Sequence, residues 1–421
     1  MLIPKGGIIL NVTIESIKGY EILNGKGKPT VEAVLTTSNG ISVTASAPSG
    51  ASTGRYEAYE LYDGGTRYNG FGTTKASAGV SNEICQALKG VSVTDQAKID
   101  RILCELDGTP NKSRLGGNAI LPVSLAAAKA GALASGLPLY RYLGGFAPRR
   151  IPAISSTVIS GGAFSPSGLE FEDYLLILDG FSRFSEATEA LLAMREEMLK
   201  RILKRVSYCL EDAGALAPEL DSTDEAFAII LDAARAVGCE SCVHLGLDVA
   251  ANELYDPDTN TYVLSKKRTR YTAAELCTYY RNLCRDYPLI YIEDPFEEDA
   301  FGDYARLKAA VPNIMVSGDD LFATNIERLK MGIEHDSANT LLFKINQIGT
   351  VSEAFSTAMF AIDNGYSITA SGRSGESLDD FSADLAVAIG AQQMKMGSPV
   401  RGERNAKFNR LMRIESELFP S

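Results

Sequence analysis

The chain has 421 residues, with 41 lysines and arginines against 53 aspartates and glutamates, a net charge of −12. That length allows two domains and a large core, and the ordinary apolar and charged fractions exclude a disordered or low-complexity chain. A balance this acidic argues against nucleic acid as the main partner, because phosphate backbones need a basic footprint.

In chain order, "MLIPKGGIILNVTIESIKGYEI" holds an apolar run too short for a signal peptide or membrane span, so a first strand is expected there. "TVEAVLTTSNGISVTASAP" predicts two strands around an Asn-Gly turn. The Gly/Ser/Thr loop that opens "SGASTGRYEAYEL" predicts a mobile lid, and "GGNAILPVSLAAAKAGALASG" predicts an alanine-rich helix whose small residues permit close packing. "GGFAPRRIP" reads as a boundary, dividing a capping unit (1–145) from a second unit (146–421).

Beyond it, short apolar runs end abruptly in charge: "CVHLGLDVA", "LIYIEDPF", "IMVSGDDL", "TLLFKINQIG" and "YSITASGRSG". Helical patterns such as "AAELCTYYRNLCRDY" and "TVSEAFSTAMFAIDNG" separate them. The alternation predicts parallel βα units and an α/β fold, a (β/α)8-type barrel behind an α+β cap, with its site at the carboxyl ends of the strands. Asp248, Glu293, Asp319, Lys344 and Arg373 fall there.

Seven scattered cysteines fit reduced thiols in a cytoplasm. Cys239, Cys242 and His244 suggest zinc, but no fourth ligand lies at matching spacing, and a loop entering a strand is the expected reading.

Acids at strand ends are commonly solvated or cap helices. Three at one rim, Asp248, Glu293 and Asp319, favour a hard cation such as Mg²⁺. Lys344 lies in an apolar strand, where desolvation and a nearby cation are expected to lower its pKa and make it a general base. Lys395, in "QQMKMGSP", is expected to hold a substrate carboxylate; a structural ion pair is the alternative for either lysine. Arg373 and Ser374 form a Gly-flanked donor cluster suited to phosphate.

Taken together, "PSGASTG", "DGTPNKSRLGGNAILPVSLA", "GLDVAANELYD", "IEDPFEEDAF", "GDDLFATN", "LLFKINQIGTVSEA", "SGRSGES" and "GERNAKFNRLMRIESEL" resemble the enolase family, in family order. The resemblance implies a homodimer acting on a small phosphorylated carboxylate, 2-phosphoglycerate or phosphoenolpyruvate, with no nucleic-acid or membrane partner. It implies two Mg²⁺ ions, the first on Asp248, Glu293 and Asp319 and the second reached by Ser52 in the lid. It also implies Lys344 as base at carbon 2, Lys395 as carboxylate clamp, and Arg373 with Ser374 as phosphate holders.

Several family positions are altered. The acid glutamate falls on Ala213 in "LEDAGALAPEL", and its assisting glutamate on Asp173, preceded by Glu172, two groups that would face substrate. Family histidines fall on Phe164, Gly372 and Tyr56, while the chain's two histidines, His244 and His335, match none of these positions. Loss of an oriented acid typically costs about 10²–10⁴ in rate. Three readings follow. The leading one is a diverged member that forms an enolate without acid-assisted loss of hydroxide, similar to carboxyphosphonoenolpyruvate synthase of phosphinate biosynthesis. The second is an ordinary enolase whose acid comes from Glu211, Asp212, Glu172 or Asp173. The third is a non-catalytic binding protein.

Overall fold

The Asn39–Gly40 pair closes a hairpin between strands β2 (Pro29–Thr37) and β3 (Ser42–Ser46), with Gly40 at φ 83°, a backbone region where side chains are strained. Strand β1 (Ile14–Leu23) completes this antiparallel sheet on the other edge of β2. The computed structural model describes residues 12–50, 54–146, 150–163, 165, 167–204, 207–211 and 213–420.

Helix α1 (Gly117–Ala134) packs on β2 and β3. It is long and apolar enough to cross a membrane, yet 83% of that apolar span is buried inside the fold. Its small residues explain why. A Cβ on Gly131 would lie 2.5 Å from the Tyr142 hydroxyl and 2.7 Å from the Val93 carbonyl, so only glycine permits this approach.

Among the described residues, eight strands close a barrel: β4 (Ala153–Ser160), β5 (Asp173–Leu178), β6 (Val243–Asp248), β7 (Leu289–Glu293), β8 (Met315–Gly318), β9 (Thr340–Phe343), β10 (Ser367–Ser371) and β11 (Gln393–Lys395). Pairing of β11 with β4 closes the ring. One feature departs from the all-parallel expectation: β5 runs antiparallel to both β4 and β6. Its cause is the short link 161–172, whose described residues form no crossover helix, so the chain returns in the opposite direction. A small hairpin, Tyr208–Leu210 with Leu216–Pro218, joins the barrel sheet through β4.

Helices cover the barrel, and side-chain caps from Ser222, Thr272, Asn325 and Thr350 mark the starts of some of them. Thr272 accepts from the Glu275 backbone N–H while Glu275 returns a bond to the Thr272 N–H, a capping box that opens the helix Ala273–Asp286. Replacing Thr272 by alanine should cost about 1 kcal/mol, read as a lower midpoint in urea unfolding with an unchanged slope.

All seven cysteines are free thiols. Cys239 and Cys242 flank the short turn Glu240–Cys242 that enters β6, and the Cys239 sulfur packs 3.6 Å from that of Met194. This is the loop entering a strand, as expected.

Candidate active site

Strand register builds the site. Asp173 opposes Asp248 across β5 and β6, and Asp248 opposes Glu293 across β6 and β7. Neighbouring strands lie about 4.8 Å apart, so three carboxylates stand side by side at one level of the barrel mouth. Because β5 is reversed, its first residue reaches this rim, whereas the parallel strands contribute their last ones. Asp319 follows β8 by one residue, Lys344 follows β9 by one, and Lys395 ends β11.

Lys395 sits among these acids, its Nζ 2.5 Å from Asp248, 3.0 Å from Glu293 and 3.4 Å from Asp173. Burial lowers its pKa, but the charges of Asp248 and Glu293 outweigh this and hold it well above the usual lysine range. Lys344 donates to Asp319. Burial opposes its charge as well, yet Asp319 wins and the pKa is raised. The lowered Lys344 pKa expected from the sequence belongs to a site holding a cation; without one, the carboxylate it touches raises it.

Asp319 is itself fixed from the far side. Gln347 Nε2 donates to it at 2.6 Å, and Thr324 donates to the Gln347 carbonyl at 2.8 Å. Burial raises the Asp319 pKa, but Lys344 and Arg373 bring it below the usual aspartate value. Glu293 is fully buried and its pKa is driven well up, first by desolvation and then by Asp248.

Asp294, Asp319 and Asp320 also lie close enough together to suggest an ion site. Asp294, however, already accepts from the Asp319 and Asp320 backbone N–H groups at 2.9 and 2.8 Å, and from the Tyr304 hydroxyl at 2.9 Å. Its work is to hold the turn after β8. Asp248, Glu293 and Asp319 supply hard carboxylate oxygens around a spot where two ammonium groups already lie, a donor set that fits Mg²⁺.

Asp248, Asp319, Lys344 and Lys395 line one cavity of about 160 Å³ together with Glu172, Asp173, Ala213, Gly372, Arg373 and Ser374. Arg373 donates to Glu57 of the capping unit at 2.7 Å and, more weakly, to Asn346 at 3.4 Å. Asp173 accepts from Thr157 at 3.1 Å, and burial raises its pKa against the pull of Lys395. Glu172 is pushed up to about 8 by burial and by the charges of Asp248 and Asp173, so it carries a proton at neutral pH.

The altered family positions divide into two groups. Ala213 turns the small hairpin at the cavity wall, its carbonyl accepting from the Ser398 N–H at 2.8 Å, and Glu211 lines the same wall. A Cβ on Gly372 would stand 3.1 Å from Glu376 and 3.4 Å from Arg404, so those two side chains crowd the space beside it. Tyr56 faces elsewhere: its hydroxyl donates to Asp299 at 3.0 Å, and the Arg328 guanidinium lies 3.9 Å from its ring centre. Ser52, Phe164 and Asp212 lie outside the described residues.

Glu57, Gln347 and Tyr291 were missed from sequence. Tyr291 donates to Glu293 at 2.8 Å, and its signal was available: residues two apart on a strand share a face. Glu57 and Gln347 carry no such local mark, since one arrives from the capping unit and the other from a turn.

Family models match both parts of the chain: "Enolase, N-terminal domain" over residues 14–143 and "Enolase, C-terminal TIM barrel domain" over residues 149–420. Similar full-length relatives are named enolase. Those of Methanothrix thermoacetophila (44% identical, 98% of each chain) and Methanopyrus kandleri (43%, 96% of each) are two. A third is that of Methanocaldococcus jannaschii, 44% identical over 96% of this chain and 95% of its own. With both parts matched by enolase models and relatives this close across nearly their whole length, the chain belongs to the enolase family.

Proposed function

We propose that this protein catalyses the enolase reaction, the interconversion of 2-phosphoglycerate and phosphoenolpyruvate. The observation that carries the reading is the convergence of Asp248, Glu293, Asp319, Lys344 and Lys395 on one barrel mouth, in a chain whose full-length relatives are named enolase. A lysine base working beside one or two Mg²⁺ ions is the known pattern of enolase-superfamily sites. The proposed barrel unit is 146–421 and the capping unit 1–145. A homodimer is carried by the resemblance alone, and a cytoplasmic location by the scattered, unpaired cysteines.

In this reading Asp248, Glu293 and Asp319 hold the first Mg²⁺, and Ser52 meets a second. Bound there, Mg²⁺ supplies positive charge to a substrate carboxylate whose negative charge grows as the carbon 2 proton leaves. Lys344 would take that proton in its neutral form, its Nζ placed at the barrel mouth by Asp319. Lys395 fixes the substrate carboxylate, and Arg373 with Ser374 fixes the phosphate. The electron pair from the C–H bond passes into the carboxylate and returns to form the C2–C3 double bond as the C3–O bond breaks. The departing hydroxyl needs a proton. With Ala213 at the family's acid position, Glu172, pushed up to about 8, is the carboxyl on that side of the cavity suited to supply it, and Asp173 stands next to it.

A second reading is favoured by Ala213 and Gly372: proton abstraction without departure of hydroxide, as in a carboxyphosphonoenolpyruvate synthase-like reaction. Purified protein with Mg²⁺ and 2-phosphoglycerate separates the two. Turnover of about 1–1000 per second is expected, with Glu172→Gln about 10²–10⁴-fold slower. Exchange of the carbon 2 proton in heavy water without formation of phosphoenolpyruvate would instead establish the second reading.

A further inference from the structure

Tyr291 is fully buried inside the barrel, in a layer with Leu175 and Ile177, and its hydroxyl donates to Glu293 Oε2 at 2.8 Å. The other Glu293 oxygen, Oε1, faces the cluster of charges, 3.0 Å from the Lys395 ammonium. The two oxygens thus have different tasks: one is tied down from below, and the other points to where a cation would sit. We propose that Tyr291 is a positioning residue that holds Glu293 as a single-oxygen ligand and thereby favours Mg²⁺ over Ca²⁺ at this site. The inference rests on the reading of Glu293 as a metal ligand.

The chemistry follows from ion size. Mg²⁺ demands a small octahedral shell and takes one oxygen from each carboxylate, whereas Ca²⁺ accepts six to eight oxygens and readily uses both. A carboxylate with one oxygen committed to a phenol cannot easily offer both to an ion. Removing the hydroxyl frees Oε2, loosens the rotamer of Glu293 and opens the two-oxygen mode. Partners that orient a ligand in this way are typically worth about 10–100-fold in metal affinity.

The test is isothermal titration of the full chain with Mg²⁺ alone and with Ca²⁺ alone, for the wild type, Tyr291→Phe, Ile177→Val and Glu293→Gln. Tyr291→Phe is expected to weaken Mg²⁺ binding by about 10–100-fold and to lower the Mg²⁺/Ca²⁺ affinity ratio by about tenfold. Ile177→Val, which perturbs the same layer but keeps the hydroxyl, should leave that ratio as it is. An unchanged ratio in Tyr291→Phe beside strongly weakened binding in Glu293→Gln overturns the proposal and leaves the ligand assignment standing. Normal binding in Glu293→Gln overturns the ligand assignment, and the role of Tyr291 falls with it. An equal change in Ile177→Val attributes the effect to packing and also overturns the proposal. Urea unfolding in EDTA establishes that each variant is folded; if Tyr291→Phe is not, Tyr291→Met removes the hydroxyl while filling similar space.

Discussion

Replacing Lys344 by alanine is expected to slow exchange of the carbon 2 proton of 2-phosphoglycerate in heavy water by about 10²–10⁴-fold, the usual contribution of a positioned base. Loss of a base should fall on kcat, because no substrate-holding contact is removed with it. Lys344 donates to Asp319 and is buried beside it, so the substitution also frees a carboxylate oxygen. Metal affinity should therefore stay the same or rise, since an ammonium no longer competes for Asp319. Unchanged exchange in Lys344→Ala would remove it as the base.

The second large effect concerns stability. Lys407 and Glu376 form a buried pair, Nζ to Oε2 2.7 Å, with both side chains 3% exposed. Lys407 also donates to the Ser377 carbonyl at 2.8 Å. Lys407→Met should destabilise the fold by about 3–5 kcal/mol, because it leaves a buried carboxylate without its cation. The pH dependence has a definite sign. Burial raises the Glu376 pKa, but Lys407 and Arg404 outweigh it and leave the folded value below the ordinary 4.5. A depressed carboxylate contributes stability above its unfolded pKa and loses it as pH falls through the folded value. The gap between wild type and Lys407→Met, measured by urea unfolding, should thus be largest near neutrality and shrink below about pH 4.5. Phosphate binding should weaken too, since Glu376 Oε1 accepts the Arg373 backbone N–H at 2.9 Å and steadies the turn that carries that guanidinium.

What could be read from the sequence is what leaves a local mark. Asn39–Gly40 announces a hairpin because few residues tolerate that turn, and apolar runs ending in Asp248, Glu293 and Asp319 announce strand ends because the apolar pattern stops there. The direction of β5 leaves no such mark: "DYLLIL" is apolar in either orientation, and only the absence of a helix in 161–172 reverses it. The direction of the Lys344 pKa without a cation is illegible for a related reason. Desolvation can be read from apolar neighbours in sequence, but the Asp319 contact joins residues 25 positions apart and decides the sign. Ala213 carried more information than its size suggests, because its register against Ala217 and Pro218 put a methyl group where the family has a carboxylate. It did not decide between the readings: the full-length relatives named enolase favour the enolase reaction over the diverged reading placed first on sequence grounds.

The reversed strand divides the mouth into two regions with different backbone support. Asp248, Glu293 and Lys395 end parallel strands, with Asp319 and Lys344 one residue beyond theirs, fixed by the ring of backbone pairing. Glu172, Asp173 and Ala213 are carried by the turn into β5 and by a three-residue-per-arm hairpin attached at the barrel's margin. Under the proposed enolase reaction, residue exchanges in that second region would alter what happens at carbon 3 while the residues proposed to act at carbon 2 keep their backbone support. One scaffold could in this way keep a single proton-abstracting half while successive descendants try different fates for the carbon beside it.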